Sequence, residues 1–201
     1  MNLKEIRSRS LEDLLYLAVD ILPSLSLPAD LYKTDEAFMQ SVYSMFCEVE
    51  EHKSIMFRSE KKTGYSTAVY FLIAYYALHH QDITLVGRAG GVAEKLDIVC
   101  QLFAKLFNFS VKTNKMSNVL IFSHDGKIFC EIYIISAFDV ADLKGVVIID
   151  DNRKLSHVDK FMGLMDNRDI YDRLILNFPT TPEIDTLADK YGIKTKEIKI
   201  F

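Results

Sequence analysis

The sequence predicts an α/β domain with a mostly parallel sheet and helices on both faces. Three observations carry that reading. Strand-like and helix-like segments alternate from about residue 55 to the end of the chain, the order that builds parallel sheets through helical crossovers. Val146-Val147-Ile148-Ile149 is a continuous β-branched run, the pattern of a strand buried on both faces. Asp125-Gly126, between two strand-like runs, marks a tight hairpin, which confines the antiparallel pairing to one place.

The elements follow in order. Residues 11–22 form a helix, with Ser10 as N-cap and Asp13 in the first turn. Pro23 and Pro28 bracket a loop. Thr34 then caps a second helix over 35–51, in which Phe38, Val42, Met45 and Phe46 share one face at helical spacing. These N-terminal helices are expected to pack on the sheet as an appendage, with 1–34 as the helical appendage and 35–201 as the main domain. A strand at 55–58 leads into a helix at 66–80, whose last residues, His79 and His80, suit the negative end of the helix dipole. A strand at 83–87, a turn at Gly90-Gly91 and a helix at 92–107 come next. The hairpin occupies 118–123 and 128–134, and the buried strand 146–149. A strand at 174–178, a short helix at 183–191 and a last strand at 197–201 complete the pattern.

Composition narrows the function classes. The chain has 201 residues, 49% hydrophobic and 26% charged, which fits a folded globular domain and argues against disorder. A net charge of −4 gives no global basic character for coating nucleic acid. Cys47, Cys100 and Cys130 are far apart, and neither they nor His52, His79, His80, His124 and His157 show metal-ligand spacing, so reduced, buried thiols are expected. No signal peptide is visible, and the longest apolar run, 68–78, is too short to span a bilayer. A soluble intracellular protein is expected.

Three segments carry chemistry, each at the C-terminal end of a predicted strand, where doubly wound sheets bind ligands. The first, Ser59-Glu60-Lys61-Lys62-Thr63-Gly64-Tyr65-Ser66-Thr67, joins a strand to a helix. A helix N-terminus offers free N–H groups and a positive dipole to an anion. Lys61 and Lys62 add charge, and the hydroxyl of Ser66 or Thr67 suits Mg²⁺. Tyr65 stands where a phosphate-binding loop has lysine. The second is the apolar strand ending in Asp150-Asp151. In such a pair the first acid orients Mg²⁺ and the second polarises the attacking water. The third is the strand at 174–178 followed by Pro179-Thr180-Thr181-Pro182, in which threonine hydroxyls can sense a terminal phosphate. Each also suits an ordinary turn.

In their order and spacing the three segments resemble the ATPase domain of the large terminase subunit of tailed bacteriophages and herpesviruses, the motor that packages viral DNA. The resemblance runs from about residue 35 to 193. The family's loop often reads Ser-Arg-x-x-Gly-Lys-Thr-Thr, and residues 60–67 align with it without a gap, placing Lys61 at the early basic position. Phe38-Met39-Gln40 is similar to an upstream aromatic-glutamine pair whose glutamine reads adenine, and residues 177–182 are similar to the segment coupling hydrolysis to DNA movement. The resemblance implies a P-loop fold of the RecA type. It implies a nucleotide site at Gln40, Lys61, Lys62, Thr63, Gly64, Tyr65, Ser66 and Thr67, catalysis by Asp150 and Asp151, Mg²⁺ on Ser66 and Asp150, and coupling by Thr180 and Thr181. ATP and Mg²⁺ are the implied cofactors. Duplex DNA, other packaging or viral proteins and further copies of the chain are the implied partners, in the infected host's cytoplasm or on the virion, without a membrane.

The departures shape the functional expectation. Tyr65 removes the point charge on the transferring phosphoryl group, and Asp151 is one methylene shorter than the usual glutamate. Phosphoryl transfer depends on positioning and electrostatics, so hydrolysis is expected to be impaired unless Lys61 or Lys62 reaches back into the site. The nuclease domain of full terminases is not expected within these residues. Two rival readings stay open. One is an inactive pseudo-ATPase that binds a protein or DNA partner. The other is a helicase-like ATPase whose second domain a partner supplies. Lys112, Lys115, Lys127 and Arg88 are the basic residues that could face DNA along one edge, and Arg88 is also the candidate for an arginine donated between subunits.

Overall fold

The computed structural model describes residues 4–5, 8, 13, 36–58, 65–79, 82–87, 89–135, 143–150, 171–178 and 181–197. Their elements are α1 (Glu36–Glu51), β1 (Ser54–Arg58), α2 (Tyr65–His79), β2 (Asp82–Val86), α3 (Ala89–Phe107), β3 (Ser110–Asn114), β4 (Val119–His124), β5 (Lys127–Ile135), β6 (Val146–Asp150), β7 (Arg173–Phe178), α4 (Pro182–Tyr191) and β8 (Lys194–Glu197). The expected helix at 11–22 lies outside the described residues apart from Asp13, which is helical.

The strands form one eight-stranded sheet in the order β3-β4-β5-β2-β6-β7-β1-β8. β5, β2, β6, β7, β1 and β8 run parallel, each to its neighbour. Only β3–β4 and β4–β5 pair antiparallel. The α/β architecture expected from strand–helix alternation is therefore present. β7, late in sequence, sits between β1 and β6, so the first and second chemical segments leave the sheet on either side of the third.

Both faces of the parallel strands are covered. Ile55 and Phe57 of β1, Val146 and Ile148 of β6, and Ile175 of β7 join the larger core, with α1, α2 and α3. The alternate residues Met56, Val147, Ile149, Leu174 and Leu176 join a smaller core under α4, with Ile184 and Ala188. This period of two within continuous apolar runs is what two-sided burial requires. α2 is buried nearly all round, from Ala68 to Leu78 with Tyr75 the half-exposed exception, as expected of a helix wedged between two others and a sheet.

Four features differ from the sequence expectation or go beyond it. The second helix belongs to the core: Val42, Met45 and Val49 of α1 are fully buried, and Phe46 stacks edge-on against Tyr75 at 4.6 Å. Arg173 of β7 fastens the end of α1 by donating to the carbonyls of Val49, Glu50 and His52, groups a helix C-terminus leaves unpaired. Gly90-Gly91 forms no turn but lies in the first turn of α3. Glycine is tolerated there because the packing of Leu96, Val99, Cys100 and Phe103 further along holds the helix. β3 carries only one buried residue, Val111, so its sequence shows no apolar strand run. The last strand begins earlier than expected, at Lys194, with residues 198–201 outside those described; Lys194–Glu197 is an edge strand of charged and polar residues, the composition that protects an open edge.

The segment leading into β6 is pinned to β2. Thr84, fully buried in β2, donates its hydroxyl to the Lys144 carbonyl at 3.1 Å and accepts from the Lys144 amide at 3.0 Å. Gly145 follows with φ +62°, and a Cβ there would lie 2.0 Å from the Asp82 carbonyl oxygen. Only glycine meets both demands.

Candidate nucleotide site

The C-terminal ends of β1, β7 and β6 lie side by side. Phe57 pairs with Asn177 and Asn177 with Asp150 in register. Asp150 follows four buried aliphatic residues and is itself half-buried. Asn177 is 2% exposed, one of two buried polar residues among those described. Its side-chain amide donates to Asp150 Oδ1 at 2.8 Å. A buried carboxamide is costly unless bonded, and this bond fixes the orientation of the Asp150 carboxylate at the rim.

β1 delivers the chain to the same rim, and α2 begins after six intervening residues. The first-turn N–H groups of a helix lack intrahelical partners, and no acidic residue stands in the first turn of α2 to oppose an anion. Ser66 is exposed and Thr67 half-buried there. Gln40 is exposed in α1. The C-terminal ends of α1 and α2 meet, where Glu50 accepts from the Tyr76 hydroxyl at 3.1 Å, so the two helices run in the same sense and Gln40 lies toward the start of α2. Burial and the nearby Glu50 carboxylate push the Tyr76 hydroxyl well above the usual phenol range.

Thr181 is placed as a helix cap. Its backbone is extended (φ −140°, ψ 150°), its hydroxyl accepts from the Ile184 amide, and Pro182 opens the helix. Glu183 and Asp185 in the first turn and Gly192 in the left-handed cap make α4 a fully signalled helix. Asp151, Lys61, Lys62, Thr63, Gly64 and Thr180 lie outside the described residues, as does the side chain of Tyr65.

The structure thus brings Asp150 to the strand ends that frame α2. It also adds two participants the sequence reading missed. Asn177 was legible as a lone amide in an apolar strand. The second is an ion pair between Arg58, the last residue of β1, and Asp185 of α4, which no spacing in the sequence reveals.

Other candidates lie elsewhere. Lys112 lies in edge strand β3, Lys115 and Lys127 occupy opposite ends of the hairpin strands, and Arg88 is outside the described residues. Cys47, Cys100 and Cys130 form no disulfide among the described residues, Cys100 and Cys130 are buried as expected, and burial pushes the Cys100 thiol up. Glu48, Glu51 and His52 cluster at the end of α1, away from Asp150, and Glu48 is already engaged by Lys196 at 2.6 Å. A groove of about 510 Å³ lies between α3 and the β3–β4 turn, lined by Glu94, Asp97, Thr113 and Lys115 among others. No described helix is long and apolar enough to cross a membrane.

No protein-family model matches the chain, and no curated protein matches it. Solved structures do. The large terminase of a thermophilic bacteriophage in complex with ADP matches with a TM-score of 0.56 at 15% identity, over 82% of this chain and 45% of that one. The same protein in complex with ATP-gamma-S gives 0.55 at 15% identity, over 81% and 44%. A mutant ATPase domain of the Thermus phage P74-26 large terminase gives 0.50 at 14% identity, over 73% and 69%. The chain therefore spans under half the length of the first of these terminases. At such identities the likeness is one of fold: this chain has the mostly parallel α/β architecture of large-terminase ATPase domains, consistent with a P-loop fold.

Proposed function

We propose that the chain is a terminase-type P-loop domain that binds a nucleoside triphosphate with Mg²⁺ at the rim where β6, β7 and β1 end. The observation that carries this reading is Asp150, held by buried Asn177 beside the strand that leads to α2. Carboxylate and hydroxyl oxygens suit Mg²⁺. Asp150 and Ser66, on the strand end and on the first turn of α2, are the donors that would hold it, and the ion would neutralise charge on the phosphates. The α2 N-terminus, with Thr67 and the loop residues Lys61, Lys62, Thr63 and Gly64, would receive the phosphates, and Gln40 the base. ADP and ATP-gamma-S complexes of the terminase structures support nucleotide binding by this fold.

Hydrolysis is slow in this reading. Tyr65 replaces the cation that would stabilise the transferring phosphoryl group, and Asp151 replaces the longer acid. By analogy with the terminases, the work is viral DNA packaging inside an infected cell. Thr181, next to Thr180, would carry the coupling role through the position of α4. The two substitutions also favour a second reading, an inactive pseudo-ATPase serving as a docking module for protein or DNA.

Calorimetry with Mg-ATP, then ATP turnover with and without duplex DNA, separates these readings. The proposal expects binding, and weak turnover lost in Asp150→Ala. The pseudo-ATPase expects no turnover, with a gain on Tyr65→Lys. Absence of binding at millimolar nucleotide overturns the nucleotide site.

A further inference from the structure

Arg58 and Asp185 form an ion pair between the two elements that flank the candidate site. Arg58 is the last residue of β1 and lies opposite Phe178, the last residue of β7, in the sheet register. Asp185 stands in the first turn of α4, one turn after the Thr181 cap. The Arg58 side chain is 18% exposed and that of Asp185 38%. The pair sits at the margin of the smaller core, where Met56, Phe178, Ile184 and Ala188 are otherwise apolar. Apolar contacts are non-directional and allow a helix to slide. An ion pair at the edge of such a layer fixes orientation, because the partly desolvated charge loses its partner when the helix shifts.

We propose that Arg58–Asp185 is the positioning contact that makes the strand before the anion site and the helix after the threonine segment move as one body. It thereby carries ligand occupancy from β1 to α4. The ligand-dependent half rests on the nucleotide reading above; the fastening of α4 does not. Asp185 also strengthens the α4 N-terminus through the helix dipole, so removing it tests two effects, whereas Arg58→Gln removes only the pair.

Hydrogen exchange on the full chain tests both halves. Without nucleotide, Arg58→Gln and Asp185→Asn are each expected to speed exchange of the α4 amides at least ~10-fold relative to wild type, a factor that corresponds to about 1.4 kcal/mol of opening free energy. The double charge reversal, Arg58→Asp with Asp185→Arg, is expected to recover part of that. Unchanged exchange in Arg58→Gln overturns the fastening. With saturating Mg-ATP, wild type is expected to gain protection in α4. Asp185→Asn is expected to bind with similar affinity and gain none. Equal protection in the variant overturns the coupling. If wild type binds no nucleotide, the nucleotide reading falls and the coupling with it, and the ligand-free comparison alone decides the fastening.

Discussion

The central parallel strands and the antiparallel hairpin at the sheet edge use similar residues and bury them differently. β6 buries four consecutive residues, Val146 to Ile149. β5 alternates, with Cys130, Ile132 and Ile134 inward and polar or half-exposed residues between them. Helices on both faces of β6 leave its polar chemistry one place to emerge, the strand end. Asp150, Asn177 and Arg58 are therefore gathered on one rim, whereas the hairpin spreads its lysines over both ends and one face. Concentration of function at strand ends follows from two-sided cover.

The largest expected effect sharpens that contrast. Ile148→Ala should cost ~2–5 kcal/mol, as for other fully buried aliphatics. Ile128→Ala, at a residue 61% exposed in β5, should stay within about 0.5 kcal/mol. Urea unfolding measures both, and equal losses would erase the distinction between the two regions.

Next come two of the three described glycines with positive φ. Gly145→Ala drives a Cβ against the Asp82 carbonyl at 2.0 Å, and is expected to cost ~2–4 kcal/mol. Gly126→Ala in the hairpin turn has open space around it and only the backbone penalty of about 1 kcal/mol. A milder Gly145→Ala would mean that the 143–145 turn is free to shift off β2.

The α4 cap is smaller. Thr181→Ala should cost about 1 kcal/mol, read from thermal unfolding, with exchange rising in the first turn of α4 first.

The smallest effect lies at the β8 edge of the sheet, three strands from Asp150. The hydrogen bond from Lys196 is the main cause holding the Glu48 carboxyl below its ordinary value. A lowered folded-state pKa stabilises above the unfolded value and loses that contribution as pH falls through the folded one. The pair is exposed, so Lys196→Gln should cost only a few tenths of a kcal/mol at neutral pH. The difference should vanish below the carboxylate range. A difference that persists in acid would assign the effect to packing of the lysine stem.

The sequence revealed those parts of the fold whose signals are local. Periodicity marked α1, a long apolar run marked α2, the β-branched run marked β6, and Asp125-Gly126 marked the hairpin, each through physics acting within a few residues. It hid β3 and the start of β8, because an edge strand buries one face or none and Lys194 to Glu197 carry no apolar run. It also misplaced the start of α3, since two glycines read as a turn until distant packing is known. In the site, Asp150 was visible from its strand, and Asn177 was visible only as an oddity. The Asp150–Asn177 bond and the Arg58–Asp185 pair join residues 27 apart and more than a hundred apart, respectively. Only the interposition of β7 between β1 and β6 and the docking of α4 bring them together.

The most direct test of the account is calorimetric titration of the full chain with ATP in Mg²⁺ and in EDTA, for wild type, Asp150→Ala and Asp150→Asn. The account expects saturable, Mg²⁺-dependent binding that both variants weaken by at least ~10-fold, about 1.4 kcal/mol, while their thermal midpoints remain those of folded proteins. Binding that is indifferent to both Mg²⁺ and Asp150, or no binding at millimolar ATP, would contradict it.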